Sequence, residues 1–296
     1  MRQVLKRLIQ FALFAVCVIG VVWSIALSSQ TVETLLVAKR TDEGGVRLRT
    51  EEFEARFSSG KGDLDFLFLG SSTCYCGIDP YVLEANGFSA FSLCSSAQKL
   101  GNAMAVLEYA KGYCSPDVVV IDLYPELWSG PLSSVECERD WTINGPGLPL
   151  DRIEPYNALL KVYFSLYEYL GVTRQPQPMV KGDVYSGLGF VERNRENISH
   201  IDCVTDVKYT MPEEYLKLLD EVASKEKVIV VIPPVLCGIE FEIDLLVLNI
   251  IDGNEWPGAR DKSNYYDDHH LVADGARSYS RWLVEKLILL SEDPSL

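Results

Sequence analysis

Three histidines occur in the chain, His200, His269 and His270, so chemistry that needs an imidazole has three places to happen. The last two lie in Tyr265-Tyr266-Asp267-Asp268-His269-His270-Leu271-Val272-Ala273-Asp274-Gly275-Ala276, just before an amphipathic stretch. Asp267 and His270 are three residues apart on a turn entering a helix, so a carboxylate can reach one ring nitrogen. Such a carboxylate fixes the tautomer and steadies the imidazolium. The other nitrogen can then take a proton from serine, a poor nucleophile until an imidazole does so. Gly70-Ser71-Ser72 offers the hydroxyl, directly after the apolar run Leu64–Leu69. Open parallel sheets bind ligands at the carboxyl ends of their strands. A strand-to-helix turn with a serine cap is the bland alternative for Gly-Ser-Ser. Asp267 to His270 could also hold a metal, but adjacent residues rarely aim at one ion and no further cluster adds ligands. His200 falls in an irregular stretch and reads as structural or solvated.

The surrounding pattern supplies the elements that would position these groups. Leu64–Leu69, Phe88–Leu93, Val118–Leu123 and Val228–Ile232 are short apolar runs of strand character. Between them, Gln98–Tyr113 and Pro212–Lys225 have helical spacing, and Asp274–Leu290 puts Tyr279, Leu283 and Leu287 on one stripe with Trp282 beside it. Apolar strands alternating with amphipathic helices predict a mostly parallel sheet covered on both faces. Asp151–Leu170 predicts an aromatic-rich helix, and residues 174–206 a long loop of the kind that forms a lid or substrate wall. The polar residues 33–60, with a short helix around Glu51–Phe57, read as a stalk.

Leu8–Leu27 is almost wholly apolar, and about 20 such residues cross a bilayer as a helix. Arg2, Lys6 and Arg7 precede it, whereas the next basic residues are Lys39 and Arg40. That asymmetry predicts a cytoplasmic N-terminus, a single-pass anchor and an extracytoplasmic domain. The alternative is a cleaved signal ending near Ala26-Leu27-Ser28, but a signal's apolar core usually has about 7–15 residues. The net charge of −15 with scattered basic residues excludes the clustered basic face of a nucleic-acid binder. Seven cysteines follow the anchor (Cys74, Cys76, Cys94, Cys114, Cys137, Cys203, Cys237), an odd number that leaves at least one without an intrachain partner. Cys74-Tyr75-Cys76 does not have a zinc-ribbon spacing.

Together, Leu69-Gly70-Ser71-Ser72-Thr73-Cys74-Tyr75-Cys76-Gly77-Ile78-Asp79-Pro80 and Tyr265 to Ala276 resemble the two motif blocks of the SGNH/GDSL hydrolases. The likeness is to the membrane-anchored surface branch, which includes the SGNH protein of teichoic-acid D-alanylation and the alginate O-acetylation proteins. It covers about Leu64 to Leu123 and Val228 to Leu290. The resemblance implies Ser72 as nucleophile, His270 as base and Asp267 as orienter, with Ser71 and His269 in neighbouring positions. It also implies an oxyanion held by the backbone N–H groups of Ser72 and Ala97. Two departures matter. Ala97 stands where the family has glycine, and the third block's Asn donor falls near Tyr124-Pro125-Glu126, where an ionised Glu126 can accept but not donate. Losing one oxyanion donor costs about 10²–10³ in turnover.

The expectation is therefore a three-layer α/β/α sandwich of SGNH/flavodoxin-like type, with a mostly parallel sheet over residues 61–296, behind an anchor over residues 1–32. The resemblance implies a serine acyl-ester hydrolase or O-acyltransferase acting on a cell-surface polysaccharide or acylated glycopolymer, without cofactor or metal, with a membrane-bound acyltransferase as a further partner. The acidic chain argues mildly against a strongly anionic polymer. The rivals are a secreted lipase or esterase on small lipid esters and a non-catalytic scaffold for a membrane acyltransferase.

Overall fold

The computed structural model describes residues 2–27, 45–58, 62–146, 182–194, 208–243 and 249–291. The architecture is mixed α/β around a five-stranded, all-parallel sheet. His200, Cys203, the Asp151–Leu170 helix and the first part of the 33–60 stalk lie outside the described residues. The N-terminal helix α1 (Arg2–Leu27) contains a 19-residue stretch, Gln3–Val21, long and apolar enough to cross a membrane.

The sheet is built from β1 (Gly62–Leu69), β2 (Ala90–Ser92), β3 (Cys114–Asp122), β7 (Val228–Ile232) and β9 (Asn249–Asp252), in the order β2-β1-β3-β7-β9. The chain leaves β1 for β2 on one side and returns to β3 on the other. The carboxyl ends of β1 and β3 therefore flank the point where the strand order reverses, the usual ligand position in such sheets. Leu69 pairs with Ile121 across this point. Phe66 to Leu69, Val118 to Asp122 and all of β7 are buried, as continuous apolar strands in a parallel sheet must be.

Helices α3 (Ser72–Gly77) and α4 (Pro80–Glu84) follow β1, and α5 (Leu100–Lys111) packs on β1 and β3. Asp79 caps α4 by accepting from the Tyr81 N–H at 3.0 Å, with Pro80 at the first helical position. Helices α6 (Val135–Asn144) and α7 (Glu213–Ala223) come next, and α8 (Ala273–Ser291) closes the domain. The expected stripe of α8 is buried, with Tyr279, Leu283 and Leu287 in the core, and the helix lies against α3 and α4.

Two sequence expectations change. The segment 33–60 is not a stalk to its end, because Val46–Phe57 forms a three-turn helix, α2, with Val46, Phe53 and Phe57 buried. Phe53 meets Phe91 edge-on at 5.1 Å and Tyr113 at 6.0 Å, so this helix belongs to the core. Part of the long loop over residues 174–206 is instead an antiparallel hairpin, β4 (Asp183–Gly187) and β5 (Phe190–Arg193). Its turn uses positive φ at Gly187, Leu188 and Gly189. A Cβ at Gly189 would lie 1.8 Å from the Ser92 carbonyl oxygen, so glycine alone permits that approach. The hairpin is held by Leu188 O accepting from Ser92 N at 2.9 Å, Gly189 O accepting from buried Arg49 Nε at 3.1 Å, and Arg277 of α8 pairing with Glu192. A short parallel pair, β6 (Lys208–Thr210) with β8 (Glu240–Glu242), lies apart from the main sheet.

Removing the α2 anchor tests the corrected boundary. Phe53→Ala should lower the stability of the full chain by about 3–5 kcal/mol, the usual range for deleting a fully buried ring. Urea unfolding measures it, and a change under about 0.5 kcal/mol, as for a surface residue, would return α2 to the stalk.

Candidate active site

Ser72 opens α3 immediately past the end of β1, with Ser71 at the N-cap. The turn before it is held on two sides. Gly70 N donates to Gln98 Oε1 at 2.7 Å, and Ser95 N donates to Gly70 O at 3.0 Å, which ties the turn to the loop after β2. On the other side Gly70 lies against the end of β3: at φ 151° a Cβ there would come within 2.7 Å of Asp122 Cβ. A disulfide between Cys74 and Cys94 clasps α3 to the same β2 loop. Closing a loop of that length contributes about 3 kcal/mol on the chain-entropy account. Cys237 is also disulfide-bonded, whereas Cys76, Cys114 and Cys137 are buried thiols. Burial pushes the Cys76 thiol up to about 11, so it is not the nucleophile of this turn at neutral pH.

The second motif block brings His270 to Ser72. Tyr265 bridges Leu271 in antiparallel fashion, and Tyr266 N donates to His270 O at 2.8 Å, which folds residues 265–271 into a tight loop ahead of α8. Asp267 Oδ1 inside that loop accepts from the backbone N–H groups of His269 and His270, at 3.1 and 2.7 Å. Its other oxygen, Oδ2, lies 2.7 Å from His270 Nδ1, and His270 Nε2 lies 2.8 Å from Ser72 Oγ. Ser72, His270 and Asp267 thus form one hydrogen-bonded line across residues 198 positions apart.

The electrostatics set the direction of proton flow along that line. Burial alone would raise the Asp267 carboxyl, but the hydrogen bond and charge of His270, the charge of His269 and the backbone N–H donors hold it far below the usual range. Burial lowers His270 to about 4; the hydrogen bond its Nδ1 donates to Asp267 opposes this, while the nearby charges of Arg193 and His269 add to it. At neutral pH Asp267 is an anion that can only accept, so Nδ1 of neutral His270 carries the proton and Nε2 accepts from Ser72. That is the protonation state a general base needs.

The alternatives within each motif fall elsewhere. Ser71 is buried and its hydroxyl meets Thr73 Oγ1 at 2.8 Å. His269 Nδ1 meets Asp268 Oδ1 at 2.6 Å, and its ring stacks on Tyr124 with centroids 4.9 Å apart. Asp267, His269 and His270 offer ligand atoms within 4.8 Å of one another. Both Nδ1 atoms are engaged with carboxylates, His269 with Asp268 and His270 with Asp267.

Of the two backbone N–H groups that the motif resemblance implies as oxyanion donors, that of Ser72 is at the first helical position, where no intrahelical acceptor exists. Ala97 adopts φ 49°, a left-handed conformation that costs a residue with a Cβ roughly 1–2 kcal/mol. Its N–H makes no hydrogen bond to the described residues. Both its neighbours face the Ser72 turn and helix, Gln98 through Gly70 N and Ser96 through Tyr75 Oη at 3.2 Å. Glu126 is exposed in a 3-10 turn (Pro125–Trp128) and accepts from Tyr209 Oη at 3.4 Å. Two residues near the site had no signal in sequence: Arg193 of β5, whose charge acts on His270 and Asp267, and Asp122, below the Ser72 turn; Tyr124, in the third motif block, backs His269.

Both shifts make the site a source of acid lability. Asp267 contributes stability above the ordinary carboxylate range, lost as pH falls through its lowered value. His270 also contributes most above about 6.5, and that contribution is lost as pH falls towards about 4. His270→Gln should therefore flatten the loss of thermal stability between pH 6.5 and 4, and Asp267→Asn the further loss below about 4. A melting curve as steep as the wild type's in both variants would contradict the assigned charge states.

No family model matches the chain, and no curated protein matches it in sequence, so its function is argued from this geometry and from the motif blocks that build it.

Proposed function

We propose that the chain is a serine acyl-ester hydrolase or O-acyltransferase that works through an acyl-serine intermediate on Ser72. The observation that supports this reading is the unbroken line from Asp267 through His270 to Ser72, with contacts of 2.7 and 2.8 Å. In the first half-reaction Ser72 Oγ attacks the acyl carbonyl and its proton passes to His270 Nε2. The C–O bond to the leaving alcohol then breaks, and that alcohol takes the proton from His270. In the second half, water or an acceptor hydroxyl gives its proton to His270 while attacking the acyl carbon. Ser72 leaves and recovers the proton. The N–H groups of Ser72 and Ala97 are the proposed oxyanion donors, and Asp267 steadies the imidazolium.

The resemblance in the two motif blocks extends the proposal. The fold would be a three-layer α/β/α sandwich, anchored by α1 with its domain outside the cytoplasmic membrane. The acyl acceptor or donor would be a cell-surface polysaccharide or glycopolymer. Glu126 at the third oxyanion position favours a slow hydrolase, or an acyltransferase that uses another donor, over a fast esterase.

A fluorophosphonate probe tests the nucleophile directly, because it phosphonylates a serine only where a base activates it. Wild-type protein should be labelled on Ser72, and Ser72→Ala should take up no label. His270→Ala and Asp267→Asn should label about 10³–10⁴-fold more slowly, since the members of such a unit act together. Equal labelling of wild type and Ser72→Ala would remove the nucleophile role. No labelling of well-folded wild type would favour a scaffold that binds rather than reacts.

A further inference from the structure

Beneath the Ser72 turn lies a polar chain that the triad does not use. Asp122 ends β3 and is 2% exposed. Its Oδ1 accepts from Thr73 Oγ1 at 2.6 Å, and Thr73 Oγ1 lies 2.8 Å from Ser71 Oγ. Since the Thr73 proton points at Asp122, the Ser71 hydroxyl is the donor of the second bond. Ser71 and Thr73 flank Ser72, so the chain grips the nucleophile from both sides. Gly70, one residue earlier, is pressed against the Asp122 backbone and Cβ. Among the described residues no hydrogen bond reaches the second carboxyl oxygen, Oδ2, which is buried.

We propose that Asp122 is the positioning residue for the nucleophile, acting on Ser72 through Thr73 and Ser71. The role rests on the serine-nucleophile reading above and adds an ionisable control to it. An ionised carboxylate is the stronger acceptor, with charge-assisted bonds roughly twice as strong as neutral ones. The turn is therefore held most tightly when Asp122 has lost its proton. Burial raises that carboxyl to about 7, opposed by the Thr73 hydrogen bond. Among the described residues no cation acts on it. The titratable side chain facing it is Tyr279 of α8, whose buried phenol is raised by burial and by the charges of Asp122, Tyr265 and Asp252. The neighbouring strand β7 presents Val231 beside it. His270 loses its proton near 4, so a step in reactivity close to 7 does not come from the base.

The test is the rate of fluorophosphonate labelling of the full chain in detergent between pH 5.5 and 8.5, with melting temperature read on the same samples. The wild-type rate should rise on the order of tenfold, with a midpoint at about 7, as the bond to Thr73 tightens. Asp122→Asn keeps the shape and the acceptor oxygen but not the charge. It should label at the slow, acid-side rate throughout, with a flat profile. Thr73→Val should be slow and flat as well, and Thr73→Ser should restore both the rate and the step. A carboxyl raised by burial favours its protonated form in the fold. Wild type should therefore lose melting temperature relative to Asp122→Asn as pH rises from about 4 to above 7. A wild-type rate without a step in this window overturns the role, as does an Asp122→Asn profile that superimposes on wild type. Absence of labelling in wild type at every pH would instead remove the hydrolase reading, and this role with it.

Discussion

The contact between His270 Nε2 and Ser72 Oγ joins residues 198 positions apart, and much of the fold can be understood as what makes that contact possible. A hydroxyl and an imidazole do not meet by chance across such a separation, because each must lie on an element whose end is fixed to within a fraction of an ångström. The parallel sheet supplies one end. It delivers Ser72 at the carboxyl end of β1, where the strand order reverses and the space above the sheet opens. The loop ahead of α8 supplies the other, and its geometry is local: Asp267 accepts from two backbone N–H groups in the same turn that it uses to orient the ring.

That economy has an electrostatic consequence. Asp267 remains ionised because the hydrogen bond to His270 and the backbone donors outweigh its burial, whereas burial of the His270 ring outweighs the neighbouring carboxylate and keeps the imidazole neutral. Asp267 and His270 are therefore driven to the anion–neutral pair rather than to an ion pair. The cost falls on folding at low pH. The opposite shift of Asp122 places a second ionisable carboxyl under the same turn, destabilising when charged. The site thus gathers groups whose preferred charge states conflict, as expected where function rather than stability has set the residues.

Much of this was legible in sequence for identifiable reasons. Val228–Ile232 is apolar at every position, which only a strand buried on both faces needs, and Tyr279, Leu283 and Leu287 keep helical spacing over several turns. Asp267 and His270 were readable because their contact is local, and Ser72 because a Gly-Ser-Ser turn follows an apolar strand. Long-range partners left no such trace. Asp122 reads as the polar end of Val118–Leu123, and nothing in its neighbours announces Thr73, 49 residues away. Cys74 and Cys94 are two of the seven cysteines that follow Leu27, and spacing does not choose among pairings. The core role of α2 was hidden because Val46, Phe53 and Phe57 are interleaved with charged residues on a short helix. Arg193 lies on a four-residue strand whose hairpin depends on three consecutive positive φ angles.

The central claim is that Ser72 carries an acyl group during turnover. The most direct measurement is mass spectrometry of the protein quenched in acid during reaction with a chromogenic acyl ester. The account predicts an adduct of one acyl group, mapped to the peptide bearing Ser72, that accumulates in wild type and is missing from Ser72→Ala. An adduct on another residue, or chromophore release without any covalent species at Ser72, would contradict it.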